Sequence, residues 1–477
     1  MIATTLPSTG ALVAIAIAAA VTIALLVLAM RRDPRAFPVI AVIALPFRLP
    51  VSSDGRTVNL LLPLYAVVAA GVLAHLLPRV LSRAGIADDG RRQEGGRQAG
   101  RRGAAYDSGR PAMLLDWLLL ASVVLYVLQA AYSSDLEKAA ENIAFFYVPF
   151  GLLYVLLREA PWTRRLLLAC AGAAIALAIV FAGVGFVEYY RKALFLNPKV
   201  VAADEYGNYF RVNSLFFDPS IYGRFLALVT IVVTTTVLWG RERRTQLFGA
   251  LVLVWLMGGL ITSFSQSSIA ALLLGLAVLA AWRWDVRGTV YVSIALAAIA
   301  AVMVAAAPSS LHFGLNGSGG SANNATNGRT KLISGGLELF TQKPLVGYGS
   351  GSFETEYKRH GNATSANATS ASHTIPVTIA AEQGIVGFLL YLALLVVAFV
   401  TLFSGAGRSP PRIALAACFA ALVLHTWVYA DFLEDPLTWT LLGIGVALAV
   451  AREGIFAGDN LAGSSEGSPT SPVASPG

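Results

Sequence analysis

Charged residues are scarce in this sequence. Asp, Glu, Lys and Arg make up 13% of its 477 residues, and hydrophobic residues make up 56%. Water-soluble domains contain about 25% charged residues. A chain with this balance has more apolar surface than a soluble core buries. The composition therefore excludes a water-soluble globular protein.

Cysteine is almost absent as well. Cys170 and Cys418 are the two cysteines of the chain, and both lie inside apolar segments. Such thiols do not make a disulfide framework, and we predict that they are inert packing residues. The long polar loops also contain no acidic cluster with metal-ligand spacing. We therefore predict no metal site and no other cofactor.

Long apolar runs are abundant. A run of about 18 apolar residues is long enough to cross a bilayer as a helix, and such runs recur along the whole chain. We predict an all-α, polytopic membrane helix bundle of about 13 transmembrane helices. The predicted spans cover about residues 11–30, 37–50, 58–77, 112–132, 142–158, 166–187, 221–240, 246–264, 268–281, 289–307, 377–402, 413–429 and 437–451.

The arginine-rich clusters between the runs predict the orientation. The net charge of +8 comes mostly from arginines in short loops, so it indicates topology and not nucleic-acid binding. The first span is followed by the RRDPR cluster and preceded by no basic residue. We expect a retained first span with its N-terminus outside a plasma membrane. The remaining crossings then put the C-terminus in the cytoplasm and both long polar loops outside.

Changes in composition divide the chain into four predicted parts. Residues 1–78 are N-terminal spans, and the Arg- and Gly-rich residues 79–110 are a flexible basic cytoplasmic linker. Residues 111–455 form a transmembrane catalytic core with outer loops at 187–219 and 308–373, the second one partly helical. Residues 456–477, rich in Gly, Ser and Pro, are a disordered tail.

The first outer loop places two arginines near the membrane boundary. Arg211 lies where polar sequence gives way to an apolar run, and Arg224 lies slightly deeper. A guanidinium there is costly unless it is paired or faces a wet cavity. Two interpretations are open. Either the arginines serve a functional site, or Arg211 extends to the interface and Arg224 pairs with Asp218 structurally.

The second outer loop contains a predicted helix and a glycine-rich turn. After Arg329, apolar residues at helical spacing predict a short helix on the outer leaflet, ended by Pro344. These apolar residues are Leu332, Ile333, Leu337 and Phe340. The GYGSGSF segment that follows fits neither a P-loop nor a dinucleotide fingerprint.

His373 stands immediately before the next predicted span. Thr374 is a plausible N-cap of that helix, and Pro376 falls in its first turn. The partial positive charge of a helix N-terminus disfavours imidazolium, so a neutral, proton-accepting His373 is predicted there. The same helix end favours a nearby anion such as a diphosphate. The alternative is a loop histidine without a role.

Four stretches within residues 185–400 occur in a characteristic order. They are RVNSLFFDPSIYGRF, SFSQSSIAALLLG, GRTKLI…LFTQKPLVGYGSGSF and SHTIPVTIAAEQGIVGFLLYL. In sequence and spacing they resemble the successive motifs of the O-antigen ligase and polymerase superfamily. The N-terminal spans match only in being apolar.

The resemblance implies an integral-membrane glycosyltransferase with a helical, GT-C-type fold. Its donor would be a glycan linked to a polyprenyl diphosphate, used on the outer face of the membrane. The catalytic residues implied are Arg211, Arg329 and His373. Substrate-binding candidates for the diphosphate or the glycan are Arg224, Asp218, Gln266 and Glu382. Many relatives have Ser-Arg where this chain has Ser265-Gln266, so a role of that arginine does not carry over.

The chemistry agrees with this choice of residues. A diphosphate leaving group gains negative charge in the transition state, and arginine is permanently charged and matched to phosphate oxygens. The resemblance does not separate a polymerase from a ligase. A transporter or flippase of lipid-linked glycans is the alternative, although no inverted repeat is evident. Expected partners are the lipid-linked donor, a glycan acceptor, membrane lipids and other polysaccharide-assembly proteins, and no nucleic acid.

Overall fold

The computed structural model describes residues 9–53, 56–83, 110–195, 210–284, 329–360, 374–429 and 431–451, with isolated positions between 287 and 294. The first helices are α1 (Thr9–Arg32), α2 (Ala36–Ala44) and α3, which runs through the segments Leu62–Gly71, Val72–Leu76 and Leu77–Arg83. The next are α4 (Arg110–Ala130), α5 (Leu136–Arg158), α6 (Arg164–Arg191), α7 (Pro219–Trp239), α8 (Arg243–Ser263) and α9 (Gln266–Arg283). The last are α10 (Arg329–Gln342), α11 (Phe353–Arg359), α12 (Ile375–Phe403), α13 (Pro410–Val428) and α14 (Pro436–Val450).

Long apolar helices dominate the structure. Among the residues described, nine helices are long and apolar enough to cross a membrane, and α14 is a shorter apolar helix of 15 residues. Helix α1 adds 24 largely apolar residues. The prediction of an all-α, polytopic membrane bundle is confirmed. A two-stranded antiparallel hairpin, β1 (Leu49–Ser53) with β2 (Arg56–Leu60), is a small exception within the described chain.

Two hydrophobic cores organise the bundle. One is built around α7 and includes buried residues of α6, α8, α9 and α13. The other joins α1–α5 to α12, α13 and α14. Helices α7 and α13 are the most buried spans. Helix α13 contributes to both cores, and it packs against α7, α9, α12 and α14.

The second predicted span differs from the structure. A crossing helix was expected over about 37–50, but α2 contains nine residues and ends at Ala44. At 1.5 Å per residue such a helix is about 14 Å long, less than half of the roughly 30 Å hydrocarbon layer. Pro46 and Arg48 follow, and the chain turns into the hairpin. Apolarity alone overestimated this helix, because the proline interrupts it.

Several other predictions concern chain segments with partial or no description. Helix α3 reaches Arg83, so the first residues of the predicted linker 79–110 are helical. Residues 84–109, most of the span at 289–307 and the tail after Ala451 lie outside the described residues. The four-part division of the chain therefore stays a prediction. Cys170 and Cys418 are both buried and free, as predicted.

Helix α10 confirms the predicted short helix but buries a different face. Its buried positions are Leu332, Gly335, Gly336 and Leu339, whereas Leu337 is 48% exposed. The two glycines allow close packing on the N-terminal part of α12, where an added Cβ at Gly336 would lie 2.5 Å from a Val377 methyl. Small residues define this contact, and a search for large apolar side chains alone does not detect them.

Candidate active site

The segment that leads into α7 holds Arg211 against the α8–α9 turn. Arg211 is half-buried, and its Nε donates to the Ser263 carbonyl at 3.2 Å. The backbone N–H of Val212 donates to the Thr262 carbonyl, also at 3.2 Å. Two residues of the first outer loop are thus joined to the end of α8. The turn that carries the predicted candidate Gln266 is therefore next to Arg211.

A buried carboxylate positions the start of this segment. Glu188, near the end of α6, is fully buried and accepts hydrogen bonds from the N–H groups of Ser214 (2.7 Å) and Phe195 (3.0 Å). Ser214 and Phe264 have positive φ angles of 52° and 50°. Non-glycine residues rarely adopt this conformation, and such residues cluster at functional sites. Both lie next to the contact between Arg211 and Ser263.

A buried serine–histidine network supports the α8–α9 turn. Ser265 caps α9, with its Oγ 2.7 Å from Ser268 Oγ. His425 of α13 is fully buried, and its Nε2 lies 3.2 Å from Ser267 Oγ and 3.3 Å from Ser268 Oγ. Ser265 N donates to Ser263 Oγ at 3.2 Å. Hydrogen bonds therefore connect α13 to the residue whose carbonyl binds Arg211.

Arg224 does not pair with Asp218, the structural alternative considered above. Its Nη2 lies 2.8 Å from Asp435 Oδ2, and both side chains are almost fully buried. Asp218 caps α7, because its Oδ1 accepts from Ser220 N and Ile221 N. Arg224 lies six residues after this cap, on a side of α7 that faces the start of α14. Burial raises the pKa of the Asp435 carboxyl, and the guanidinium partly opposes this effect.

The two remaining substrate-binding candidates lie in different surroundings. Gln266 is exposed in the first turn of α9. Glu382 is 7% exposed within α12, and its two oxygens accept from Gly351 N (2.9 Å) and Phe353 N (3.1 Å). Glu382 therefore holds the end of the glycine-rich turn. Each carboxylate oxygen thus accepts one backbone hydrogen bond from the turn.

The glycine-rich turn fits into a break in α12. Gly384 has φ 63° and ψ −163° inside the helix, and an added Cβ there would lie 2.4 Å from the Leu345 carbonyl oxygen. Gly349 has φ 98°, and its Cβ would lie 2.4 Å from Ser133 Cα. Both positions require glycine because of conformation and close backbone contact. The turn is thereby clamped between α12 and the α4–α5 connection.

A cavity of about 50 Å³ lies beneath this turn. It is lined by α4, α5, α12 from Ile375 to Leu394, and the segment before α14. Ile375 and Thr378, at the start of α12, and the carboxyl groups of Glu382 and Glu434 are part of its wall. Burial raises the pKa of Glu434 to about 8.

The other two predicted catalytic residues are described incompletely. Arg329 is the first residue of α10, and its backbone alone is described. His373 lies outside the described residues. Thr374 occupies the N-cap position of α12, with Pro376 in the first turn, as predicted. The convergence of Arg211, Arg329 and His373 on one site therefore stays a prediction.

Comparison with known families adds a direct finding. Residues 251–392, from within α8 to within α12, match the family profile described as O-Antigen ligase. This match supports membership of the O-antigen ligase superfamily. No curated protein sequence matches the chain significantly. The profile match and the long apolar helices together support a multi-pass membrane protein with a glycan-ligase domain of glycosyltransferase type.

Sequence reasoning missed several residues that surround the predicted site. These residues are Glu188, Ser263, His425, Glu434 and Asp435. A signal existed for two of them, because Glu434 and Asp435 directly precede an apolar run, where ionisable side chains are costly without partners. The polar turn YADFLEDP contains both.

Proposed function

We propose that this protein is an integral-membrane glycosyltransferase that polymerises or ligates polyprenyl-diphosphate-linked oligosaccharides on the outer face of the plasma membrane. The reaction requires no metal and serves surface or exported polysaccharide synthesis. The observation that carries this proposal is the contact between Arg211 and Ser263. It joins the first outer loop to the segment that matches the O-antigen ligase profile.

In the proposed reaction, an acceptor sugar hydroxyl attacks the anomeric carbon of the donor glycan. The bond between that carbon and the diphosphate oxygen breaks, and the diphosphate leaves with the electron pair. Arg211 and Arg329 neutralise the charge that develops on it. His373 takes the proton from the attacking hydroxyl. The α8–α9 turn keeps the Arg211 guanidinium oriented through its Nε, which lies 3.2 Å from the Ser263 carbonyl oxygen.

The substitution of Arg211 tests this proposal. In liposomes with purified protein and a polyprenyl-diphosphate-linked glycan, we expect Arg211→Ala to lower kcat about 100- to 1,000-fold, the usual effect of losing one transition-state contact. Arg211→Lys should restore part of the rate, because a point charge lacks the two-pronged geometry of guanidinium. The measurement is release of polyprenyl diphosphate together with glycan length.

Arg191→Ala is the matched control, because Arg191 is exposed at the end of α6. Its rate should equal that of the wild type. An Arg211→Ala variant with unchanged product would remove Arg211 from the mechanism. Chelation of divalent cations is expected to leave the wild-type rate unchanged.

The same liposomes separate the transferase from a flippase of lipid-linked glycans. A transferase lengthens glycans or frees polyprenyl diphosphate. A flippase moves intact lipid-linked glycan between leaflets without a change in glycan length. Transfer to a second lipid-linked glycan identifies a polymerase, and transfer only to a different acceptor identifies a ligase.

A further inference from the structure

The cavity beside Glu382 has a mostly apolar wall with a few polar groups. Helices α4, α5 and α12 and the segment before α14 enclose it, and it is partly open. Ionisable groups within a membrane protein are costly and usually face a functional cavity. Ligand pockets combine apolar or aromatic walls with a few convergent polar groups. This cavity has both features.

Two carboxyl groups line the cavity, Glu382 from α12 and Glu434 from the segment before α14. Each is held in place by hydrogen bonds from neighbouring residues. Glu434 Oε1 accepts from Asn142 Nδ2 at 3.0 Å, and Asn142 itself is 3% exposed. Glu382 is held by the N–H groups of Gly351 and Phe353. Each carboxyl oxygen has two lone pairs, so these bonds leave acceptor capacity for a ligand in the cavity.

Three tyrosines supply the aromatic part of the wall. Tyr126 and Tyr147 are stacked with their ring centres 4.1 Å apart, and Tyr391 packs edge-on against Phe432. Asn142 Nδ2 donates to the Tyr126 hydroxyl at 2.8 Å, so one side chain connects a tyrosine to Glu434. Tyrosines present an apolar face and a polar tip. A sugar ring offers the matching surfaces, C–H groups and hydroxyl groups.

The composition of the wall favours a neutral ligand over an anionic one. Among the described residues that line the cavity there is no Lys, Arg or His. A diphosphate or a uronic acid would therefore meet two carboxyl groups and no cationic side chain in the wall itself. Arg211 and Arg224 lie in other surroundings, at the α8–α9 turn and at Asp435. The volume of about 50 Å³ admits part of one ring and not a disaccharide.

We propose that this cavity, with Glu382, Glu434, Tyr126, Tyr147 and Tyr391, is a subsite for one uncharged sugar ring of a glycan substrate. The sugar hydroxyls donate to the two carboxyl groups, and a ring face lies against tyrosine. The subsite deepens the proposed glycan-transfer function and rests on it for the source of the sugar. Arg211, proposed to bind the diphosphate, is not among the residues that line it.

Sugar binding to the full-length protein in nanodiscs tests the subsite without any transfer reaction. The probes are the methyl glycosides of glucose, galactose, mannose, rhamnose, N-acetylglucosamine and N-acetylgalactosamine, with glucuronic and galacturonic acids as anionic counterparts. Saturation-transfer NMR should detect at least one neutral sugar and neither uronic acid. Glu434→Gln should weaken the detected binding about tenfold or more, the effect of a lost hydrogen bond to a buried carboxyl group.

A second variant fills the cavity and removes no carboxyl group. Ser122 lines the cavity, and its hydroxyl bonds within α4 to the Leu118 carbonyl. Ser122→Leu should abolish binding of the neutral sugar. Glu242→Gln is the matched control at an exposed position and should bind as the wild type does. Equal signals in all four proteins, no neutral sugar bound, or equal binding of uronic acids would each overturn the proposal.

Kinetic measurements show whether the sugar ring belongs to the acceptor or to the donor. They also test the subsite independently of the proposed function. In liposomes, a raised KM for a free oligosaccharide acceptor in Glu434→Gln assigns the subsite to the acceptor, and a raised KM for the lipid-linked donor assigns it to the donor. Unchanged values for both overturn the subsite while transfer stands. Variant-sensitive sugar binding by a protein without transfer activity supports the subsite and overturns the proposed function.

Discussion

At the residue scale, the structure is marked by charges buried between distant parts of the chain. Arg224 and Asp435 are 1% and 2% exposed and lie 2.8 Å apart. Within the described chain, Nε and Nη1 of Arg224 have no hydrogen-bond partner. Removal of one partner from such a pair leaves an uncompensated charge in a poorly solvated place. The cost of burying either charge is therefore offset only while its partner is present.

A double-mutant cycle measures this dependence. We expect Arg224→Met and Asp435→Asn each to lower the free energy of unfolding by about 3–5 kcal/mol. The double variant should lose less free energy of unfolding than the sum of the two single losses, because it leaves no unpaired charge buried. Reversible unfolding in detergent micelles is the measurement. The exposed pair Arg79–Glu159 is the control, where Arg79→Met should cost less than about 1 kcal/mol. Strictly additive losses at Arg224 and Asp435 would contradict the interpretation.

Glu434 predicts a pH dependence of stability. Burial raises its pKa in the folded protein from 4.5 to about 8, so the folded state holds this proton to a higher pH than the unfolded chain does. Stability from this group should therefore fall as the pH rises from about 4.5 to about 8. Thermal unfolding in nanodiscs across this range checks the slope. Glu434→Gln should flatten it, and parallel curves for both proteins would refute the assignment.

At the scale of elements, α12 is the helix on which the outer loop is built. Its break at Gly384 receives the glycine-rich turn, and the Ile385 N–H donates to the Pro344 carbonyl at 2.8 Å. Two residues before the break, Glu382 holds the end of the glycine-rich turn. The N-terminal part of α12 also lines the cavity and packs against α10. A substitution that prevents the backbone conformation at Gly384 should therefore disturb both the loop and the cavity.

The substitution Gly384→Ala tests this role of α12. The φ of 63° is unfavourable for alanine, and the added Cβ would lie 2.4 Å from the Leu345 carbonyl oxygen. We expect a loss of at least about 1–3 kcal/mol in unfolding free energy and faster proteolysis of the outer loop. Gly172→Ala is the control, because its Cβ meets nothing within 4 Å in α6. That variant should be at least as stable as the wild type, because alanine favours a helix interior more than glycine does. If Gly384→Ala were also as stable as the wild type, the required glycine conformation at the break would be contradicted.

At the scale of the whole molecule, orientation in the membrane decides where chemistry takes place. The positive-inside pattern predicts that the α8–α9 turn is outside and that the α7–α8 turn is inside. Gln266 and Gln246 are exposed at these two turns. The two native cysteines are buried. Single introduced cysteines therefore report the two sides separately.

We expect Gln266→Cys to react with a membrane-impermeant maleimide in intact cells. Gln246→Cys should react only after the membrane is permeabilised. The protein without introduced cysteine provides the background signal. The reverse labelling pattern would place Arg211 on the cytoplasmic side, and glycan transfer at the outer face would then be wrong.

The sequence by itself determined the membrane-helix architecture and the match of residues 251–392 to the O-antigen ligase profile. Each apolar run interacts with the bilayer through its own length and composition, so no distant residue is needed to recognise it. Thr374 and Pro376 likewise indicated the start of α12 from local chemistry. The glycine-rich turn was visible as a motif, although its place in the Gly384 break was not.

Only the tertiary structure decided which distant residues meet. The partner of Arg224 proved to be Asp435 and not the nearby Asp218, because Asp218 uses its carboxylate to cap α7. Helix α2 ended after nine residues, and the cavity with Glu382 and Glu434 formed from elements far apart along the chain. Burial, pairing and close packing depend on which faces of the helices come together, and that is a property of the assembled bundle.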